Sequence, residues 1–256
     1  AISRISSGIR IRTAADDAAG LAITEQLKAD SRTLRQGTRN LNDGIALVNV
    51  AEGAMSEQSG MLIRMRELAS QAATGTIGQT ERETINLEFQ QLKAELDRIT
   101  NTTEFAGQGI IDGSLAAANP KHLSLQIGAT GQAADRLDLN QALDLTAVTS
   151  SNLGLATSNI STEGDALVSL DRLSTAVDEL IEIRARVGSV QQRLGRALNN
   201  LNITIENLNA AVSQISDADL AEELTDLTKN QILVQSGAAM VSQSNLIPQS
   251  VLTLLS

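Results

Sequence analysis

Three close pairs of carboxylates mark the chain, Asp16 with Asp17, Asp217 with Asp219, and Glu222 with Glu223. Paired acids can divide the roles of general acid and general base. Each pair, however, stands where a helix is predicted to begin. There an acid satisfies free backbone N–H groups and the positive end of the helix dipole. No histidine, cysteine or phosphate-cradling glycine loop accompanies any of them, so the catalytic reading lacks its partners. The chain carries one histidine, His122, and no cysteine. That combination excludes a multi-histidine zinc site, thiolate metal ligands, disulfides and cysteine nucleophiles. Arg4, Arg10 and Arg12 make a short basic run, but 20 Lys and Arg stand against 30 Asp and Glu, for a net charge of −10. A pI near 4.6 is the opposite of the basic face that a nucleic-acid binder presents. The expectation is a protein that is not an enzyme, takes no cofactor or metal, and binds no nucleic acid.

The elements that carry these residues are predicted to be long helices. In 256 residues there are two Phe, no Trp, no Tyr and two Pro. A core of Ala, Leu, Ile and Val with few rings suits helices packed side by side, and scarce proline leaves such helices uninterrupted. Leu27, Leu34, Leu41, Val48, Met55, Leu62 and Ala69 recur every seven residues. Gly37, Gly44, Ala51, Met65 and Ala72 form a second stripe of mostly small side chains, which lets a neighbour approach closely. The spacing predicts a helix over 14–73, opened by a capping box at Thr13 to Asp16 and closed at Thr74-Gly75. A second box, Thr80 to Glu83, opens a shorter helix with a seam through Ile85, Phe89, Leu92, Leu96 and Ile99. The glycine turn before it predicts that it folds back antiparallel.

From Phe105 to Leu145 glycines punctuate two alternating runs, Leu123-x-Leu125-x-Ile127 and Leu137-x-Leu139, and a β-hairpin region is predicted there. The last long seam runs from Leu173 to Ile215 in steps of four and three, with Arg184 and Gln191 as its only polar members. At Ser216-Asp217-Ala218-Asp219 a new cap appears and the apolar phase shifts, resuming at Leu220, Leu224 and Leu227. This predicts a joint, then a separate helix to about Asn245, ended by Pro248. An apolar tail holding Leu252, Leu254 and Leu255 follows, and such a tail calls for a partner. No stretch approaches the ~20 apolar residues of a membrane span, and the first residues do not read as a signal peptide.

Particular residues also match a family. Ser6-Ser7-Gly8-Ile9-Arg10-Ile11, Ala14-Ala15-Asp16-Asp17-Ala18-Ala19-Gly20-Leu21-Ala22-Ile23 and Arg64-Met65-Arg66-Glu67-Leu68-Ala69 closely resemble the N-terminal signature of bacterial flagellins. Ala197-Leu198-Asn199-Asn200-Leu201, Ser213-Gln214-Ile215-Ser216-Asp217-Ala218-Asp219 and Pro248-Gln249-Ser250-Val251-Leu252 resemble the C-terminal signature. Compared with the family, the chain begins partway through the N-terminal helix, has a short middle segment, and ends at Ser256 where arginine is common. A chain lacking that helix is expected not to form a normal filament alone.

The resemblance implies a mainly α fold: a long antiparallel rod, built as a three-helix coiled-coil-like bundle, with a small β-hairpin region and a separate C-terminal helix. It further implies a spoke segment over 1–15, a rod core over 16–215 with the hairpins at about 105–145, and an inner-tube helix over 216–256. The implied function is a secreted structural subunit that polymerises into the flagellar filament for motility, the filament being extracellular or, alternatively, periplasmic. Implied partners are further copies of the chain, an export chaperone, the filament cap, hook-junction proteins and a host Toll-like receptor. The polymerisation surface would comprise Leu220, Leu224, Leu227, Val234, Leu252, Leu254 and Leu255, and the joint Ser216, Asp217 and Asp219. By motif alignment the receptor patch would be Arg64, Leu68 and Glu88, with Leu68 off the seam and so expected to be exposed. The alternatives are a hook–filament junction protein, similar at both ends, and a helical adaptor coiled coil.

Overall fold

The computed structural model describes residues 2–254, with side chains through residue 243. Its elements, in order, are α1 (Ile2–Ser7), α2 (Ala18–Ala72), α3 (Gln79–Thr102), β1 (Glu104–Phe105), β2 (Gln108–Gly109), β3 (Ser124–Gln126), β4 (Arg136–Asp138), α4 (Leu139–Leu143), α5 (Glu163–Ser216) and α6 (Leu220–Leu254). The fold is mainly α, with two small two-stranded antiparallel sheets. The chain divides into two compact units, Thr33–Thr204 and Ala1–Arg32 with Ile205–Ser256.

In the unit Thr33–Thr204, α2, α3 and α5 pack as long helices. Across α2 and α3, Gln58 bonds the Leu96 carbonyl, Arg64 meets Glu88, and Arg82 bonds the Ala72 carbonyl. Partners descend on one helix as they rise on the other, so the two are antiparallel. Across α2 and α5, Asn49 pairs with Gln191 and Glu52 with Arg184, again antiparallel. Of the seam predicted along α2, Leu27 is half-buried and Leu34 buried, while Leu41, Val48, Met55, Leu62 and Ala69 share one core with Phe89 and Leu96 of α3 and Leu173, Leu180, Val187 and Leu194 of α5. The second stripe is continuous through position 58, where a buried Gln bonds the Leu96 and Val148 carbonyls and the Thr100 hydroxyl.

The hairpin region explains two helical glycines. β3 pairs with β4 in the register Leu125 opposite Leu137, within the alternating runs read from the sequence. A Cβ on Gly37 would strike the Ile127 carbonyl, and one on Gly44 would strike the Leu125 side chain. The strand therefore lies on α2 closer than any side chain would permit, and Asn40 anchors it by donating to the Gln126 carbonyl at 2.8 Å. β1 and β2 are joined by Ala106 and Gly107, both at positive φ, 51° and 75°, as a tight primed turn requires. After α4 the chain runs back along α3 without regular structure. Its backbone is satisfied by side chains there: Asp97 accepts from Ser150 N at 2.6 Å, Asn86 accepts from Ile160 N at 3.1 Å, and Gln90 donates to the Ser158 carbonyl at 3.2 Å.

Three helix limits differ from the sequence reading. Asp16 does not cap α2; it closes a turn by accepting from Thr13 N (3.0 Å), Thr13 Oγ1 (2.9 Å) and Arg12 N (3.2 Å). Asp17 takes the cap role by accepting from Gly20 N at 2.9 Å, and the helix starts four residues later than expected, at Ala18. The box at Thr80 is likewise inside α3, which starts one residue earlier behind Gly78 with no side-chain cap. Finally, the backbone of α6 is helical through Pro248 to Leu254. Proline removes one N–H and crowds the preceding turn, which bends a helix without obliging it to end.

Candidate functional site

The unit Ala1–Arg32 with Ile205–Ser256 contains the break between α5 and α6, and the sequence signals there act as a structural clasp. α1 ends at Gly8, whose φ of +68° turns the chain. Residues 8–10 then run against the break. Ile9 bridges Asp217 in antiparallel fashion, Ala218 N donates to the Gly8 carbonyl at 2.9 Å, and Arg10 N donates to the Ser216 carbonyl at 2.7 Å. The Arg10 guanidinium also donates to the Ile215 carbonyl at 2.9 Å. A cation at the last carbonyls of a helix satisfies orphaned acceptors and suits the negative end of its dipole. Asp217 is bonded by the Ser213 hydroxyl. Asp219 caps α6 by accepting from Ala221 N at 2.9 Å and Glu222 N at 3.4 Å. Glu223, nearly buried, pairs with Arg4 at 3.1 Å. Of the three acid pairs, Asp16, Asp17, Asp217, Asp219 and Glu223 each hold a structural partner.

Beyond the clasp lies α6. Leu220 and Leu224 are half exposed, Leu227 is half-buried, and Ile232, Leu233, Val234, Met240 and Val241 are exposed. Ile232, Leu233 and Val234 are consecutive, so they project ~100° apart around the axis. Together they give this stretch exposed apolar side chains on more than one side, the kind of surface that marks an interaction site. The side chains of Leu252 and Leu254, and the whole of Leu255, lie outside the described residues.

Arg64 and Glu88 do meet, with guanidinium nitrogen and carboxylate oxygen 2.9 Å apart, and Glu67 joins the pair at 3.1 Å. The hydrogen bond to Glu67, followed by the hydrogen bond and charge of Glu88, holds the Arg64 guanidinium above its usual pKa. Leu68 is a correction: it is 1% exposed and belongs to the core, so the expected three-residue exposed patch does not exist in this chain. The heptad seam covers two positions per repeat, but α2 lies between two helices and buries a wider face. Leu47, exactly three heptads earlier, is buried by the same geometry.

His122 sits beside the β3–β4 hairpin with Nδ1 2.5 Å from Asp138 Oδ2. The other Asp138 oxygen accepts from Asn140 N and Gln141 N and so caps α4. Burial pushes this carboxyl up, but the bond from His122 and the two N–H groups outweigh it and hold the group below 3.8. Among the described residues no group of three metal-ligating side chains converges, and no helix is long and apolar enough to cross a membrane. The clasp residues Gly8 and Arg10 and the seam partners Asn49 and Glu52 had no periodic signal of their own. Only polar residues at 184 and 191 of an otherwise apolar seam pointed towards Glu52 and Asn49.

Comparison with known proteins accounts for this arrangement. Residues 1–116 match the bacterial flagellin N-terminal helical region and residues 170–255 the bacterial flagellin C-terminal helical region. A flagellin from Halalkalibacterium halodurans is 40% identical over 255 residues, covering 100% of this chain and 90% of that protein. The flagellar filament 30.7 kDa core protein of Treponema maltophilum is 36% identical over 269 residues, covering 100% and 91%. The crystal structure of Bacillus cereus flagellin is similar with a TM-score of 0.54 at 30% identity, covering 64% of this chain and 88% of that one. Two terminal helical regions matched in order, and full-length relatives at this identity, leave one conclusion: the chain belongs to the bacterial flagellin family.

Proposed function

We propose that the chain is a structural subunit that polymerises into a bacterial flagellar filament for motility. The observation that carries this reading is α6, whose exposed Ile232, Leu233 and Val234 face different directions and call for neighbours on several sides. A contact between different patches of successive copies yields a helical filament where its rotation does not close into a ring. On this reading residues 1–15 form a spoke segment, residues 16–215 the core, and residues 216–256 the helix of the inner tube, with Ser216, Asp217 and Asp219 as the joint. Leu220, Leu224, Leu227 and Val234 lie on the polymerisation surface with the tail leucines.

Before assembly so apolar a helix needs cover, which fits an export chaperone, while the filament cap and the hook-junction proteins are the partners at its two ends. Of the recognition patch, Arg64 and Glu88 remain at the surface for a Toll-like receptor, without Leu68. We place the filament outside the cytoplasm, at the cell exterior. The test is electron microscopy of native filaments with antibody against this chain, together with mass spectrometry of depolymerised filaments. Labelling along the full filament length supports the reading. Labelling confined to the hook end, or filaments free of this chain, would overturn it, and whole-cell sections showing filaments between the membranes would move the location to the periplasm.

A further inference from the structure

Charge in the unit Thr33–Thr204 is sorted along α5. From Glu163 to Glu182 the helix holds six acids and a single base, Arg172; from Ile183 to Thr204 it holds four arginines and no acid. Two of these arginines are neutralised within the chain, Arg184 by Glu52 and Arg186 by Glu182. Arg193 has no ion-pair partner among the described residues, and it lines an open cleft of about 750 Å³ together with His122, Arg136, Asp138 and Gln141. Arg136 donates to the Gln126 side chain at 3.1 Å and to no carboxylate. The cleft's one carboxylate, Asp138, is already used on both oxygens, by His122 and by the first N–H groups of α4. Two guanidiniums therefore share a cleft with a single carboxylate, neither of them in an ion pair among the described residues, and leave it an excess of positive charge in a chain whose net charge is −10. On the opposite stretch of α5, Asp171, Asp178 and Glu179 are exposed and make no ion pair among the described residues.

We propose that the Arg136–Arg193 cleft receives the acidic stretch Asp171–Glu179 of a second copy, as a head-to-tail charge contact between successive subunits. The proposal rests on the filament-subunit reading and names one of its contacts. The socket and the acids lie on different parts of the same unit, so the contact is heterologous, the kind that an open helical filament repeats. Guanidinium forks match carboxylates in geometry as well as charge. Complementary charge of this kind fixes the register and suppresses wrong pairings more than it adds raw affinity.

The test is charge reversal and charge exchange in the full-length chain, expressed in its flagellated host. Arg136→Glu with Arg193→Glu should raise the critical concentration for filament assembly about tenfold, as should Asp171→Lys with Asp178→Lys and Glu179→Lys. The combined chain should recover most of the loss, and the differences should shrink at 0.5 M salt, where the Debye length falls to about 4 Å. Circular dichroism of the monomers checks that each variant folds, and the milder Arg136→Gln with Arg193→Gln stands in if a reversal does not. Filaments indifferent to every variant, or a combined chain as poor as the sum of its parts, would overturn the contact while leaving the subunit reading intact. Indifferent filaments together with binding of inorganic phosphate that the arginine variants abolish would make the cleft a free-oxyanion site and overturn it likewise. A wild-type chain absent from filaments would remove both readings.

Discussion

Arg184 of α5 and Glu52 of α2 meet across the seam of their two helices, with Arg184 Nη2 2.6 Å and Nε 3.0 Å from the same carboxylate oxygen. The second oxygen, Glu52 Oε2, is buried without a hydrogen-bond partner. Two turns further along α5, Gln191 donates to Asn49 Oδ1 at 2.6 Å. These two polar layers interrupt an apolar seam that would otherwise tolerate sliding by a heptad, and a polar layer matched only in one register specifies that register.

Removing one partner of the ion pair should cost more than removing both. Arg184→Met leaves the half-buried Glu52 carboxylate without its cation and should destabilise the chain by about 2 kcal/mol, between the values for exposed and buried pairs. Arg184→Met combined with Glu52→Leu should recover most of that loss. Urea unfolding followed by circular dichroism measures both, and a combined variant as unstable as the sum of the single ones would contradict the argument.

The helical glycines of α2 should divide into two classes. Gly53 and Gly60 have open space where a Cβ would be, so Gly53→Ala and Gly60→Ala should stabilise by about 0.5–1 kcal/mol through helix propensity. Gly37→Ala meets the Ile127 backbone carbonyl and should destabilise by about 1–2 kcal/mol, because overpacking outweighs propensity. Gly44→Ala meets the tip of the Leu125 side chain, which can rotate away, and should fall between. The order of the four melting temperatures is the readout.

Leu68→Ala should behave as a core truncation. With Leu68 1% exposed, the loss is about 2–5 kcal/mol of unfolding free energy. Arg64→Ala and Glu88→Ala, at an exposed ion pair, should each leave the unfolding midpoint nearly unchanged. A Leu68→Ala chain as stable as wild type would place that side chain outside the core.

Acid should weaken the hairpin end through Asp138. Its folded pKa lies below the ordinary 3.8, so its contribution is fully present above that value and is lost as pH falls through the folded pKa. Thermal melts of wild type taken downwards from pH 5 should therefore decline more steeply than those of Asp138→Asn, which lacks the titrating group. Parallel slopes would show that the carboxylate contributes no such linkage.

What the amino-acid order determined by itself was periodic. The heptad from Leu34 to Ala69, the alternation at Leu123–Ile127 and Leu137–Leu139, and the phase shift at Leu220 each repeat at the spacing of the structure they form, because a helix or strand presents one face at a fixed interval. The family signatures were legible for the same reason that local motifs are: they are contiguous. Tertiary structure alone decided how wide each buried face is, and so moved Leu68 from the surface into the core, since that width depends on how many neighbours a helix has. It likewise decided which of several eligible acids caps a helix, Asp17 rather than Asp16, since Thr13 and Arg12 compete for Asp16. It also brought Gly8–Arg10 onto Ser216–Ala218 and set Arg136 and Arg193 along one cleft, although these segments lie far apart in the chain. Backbone hydrogen bonds and converging charges of that kind leave no interval in the sequence, because their partners are chosen by the path of the folded chain.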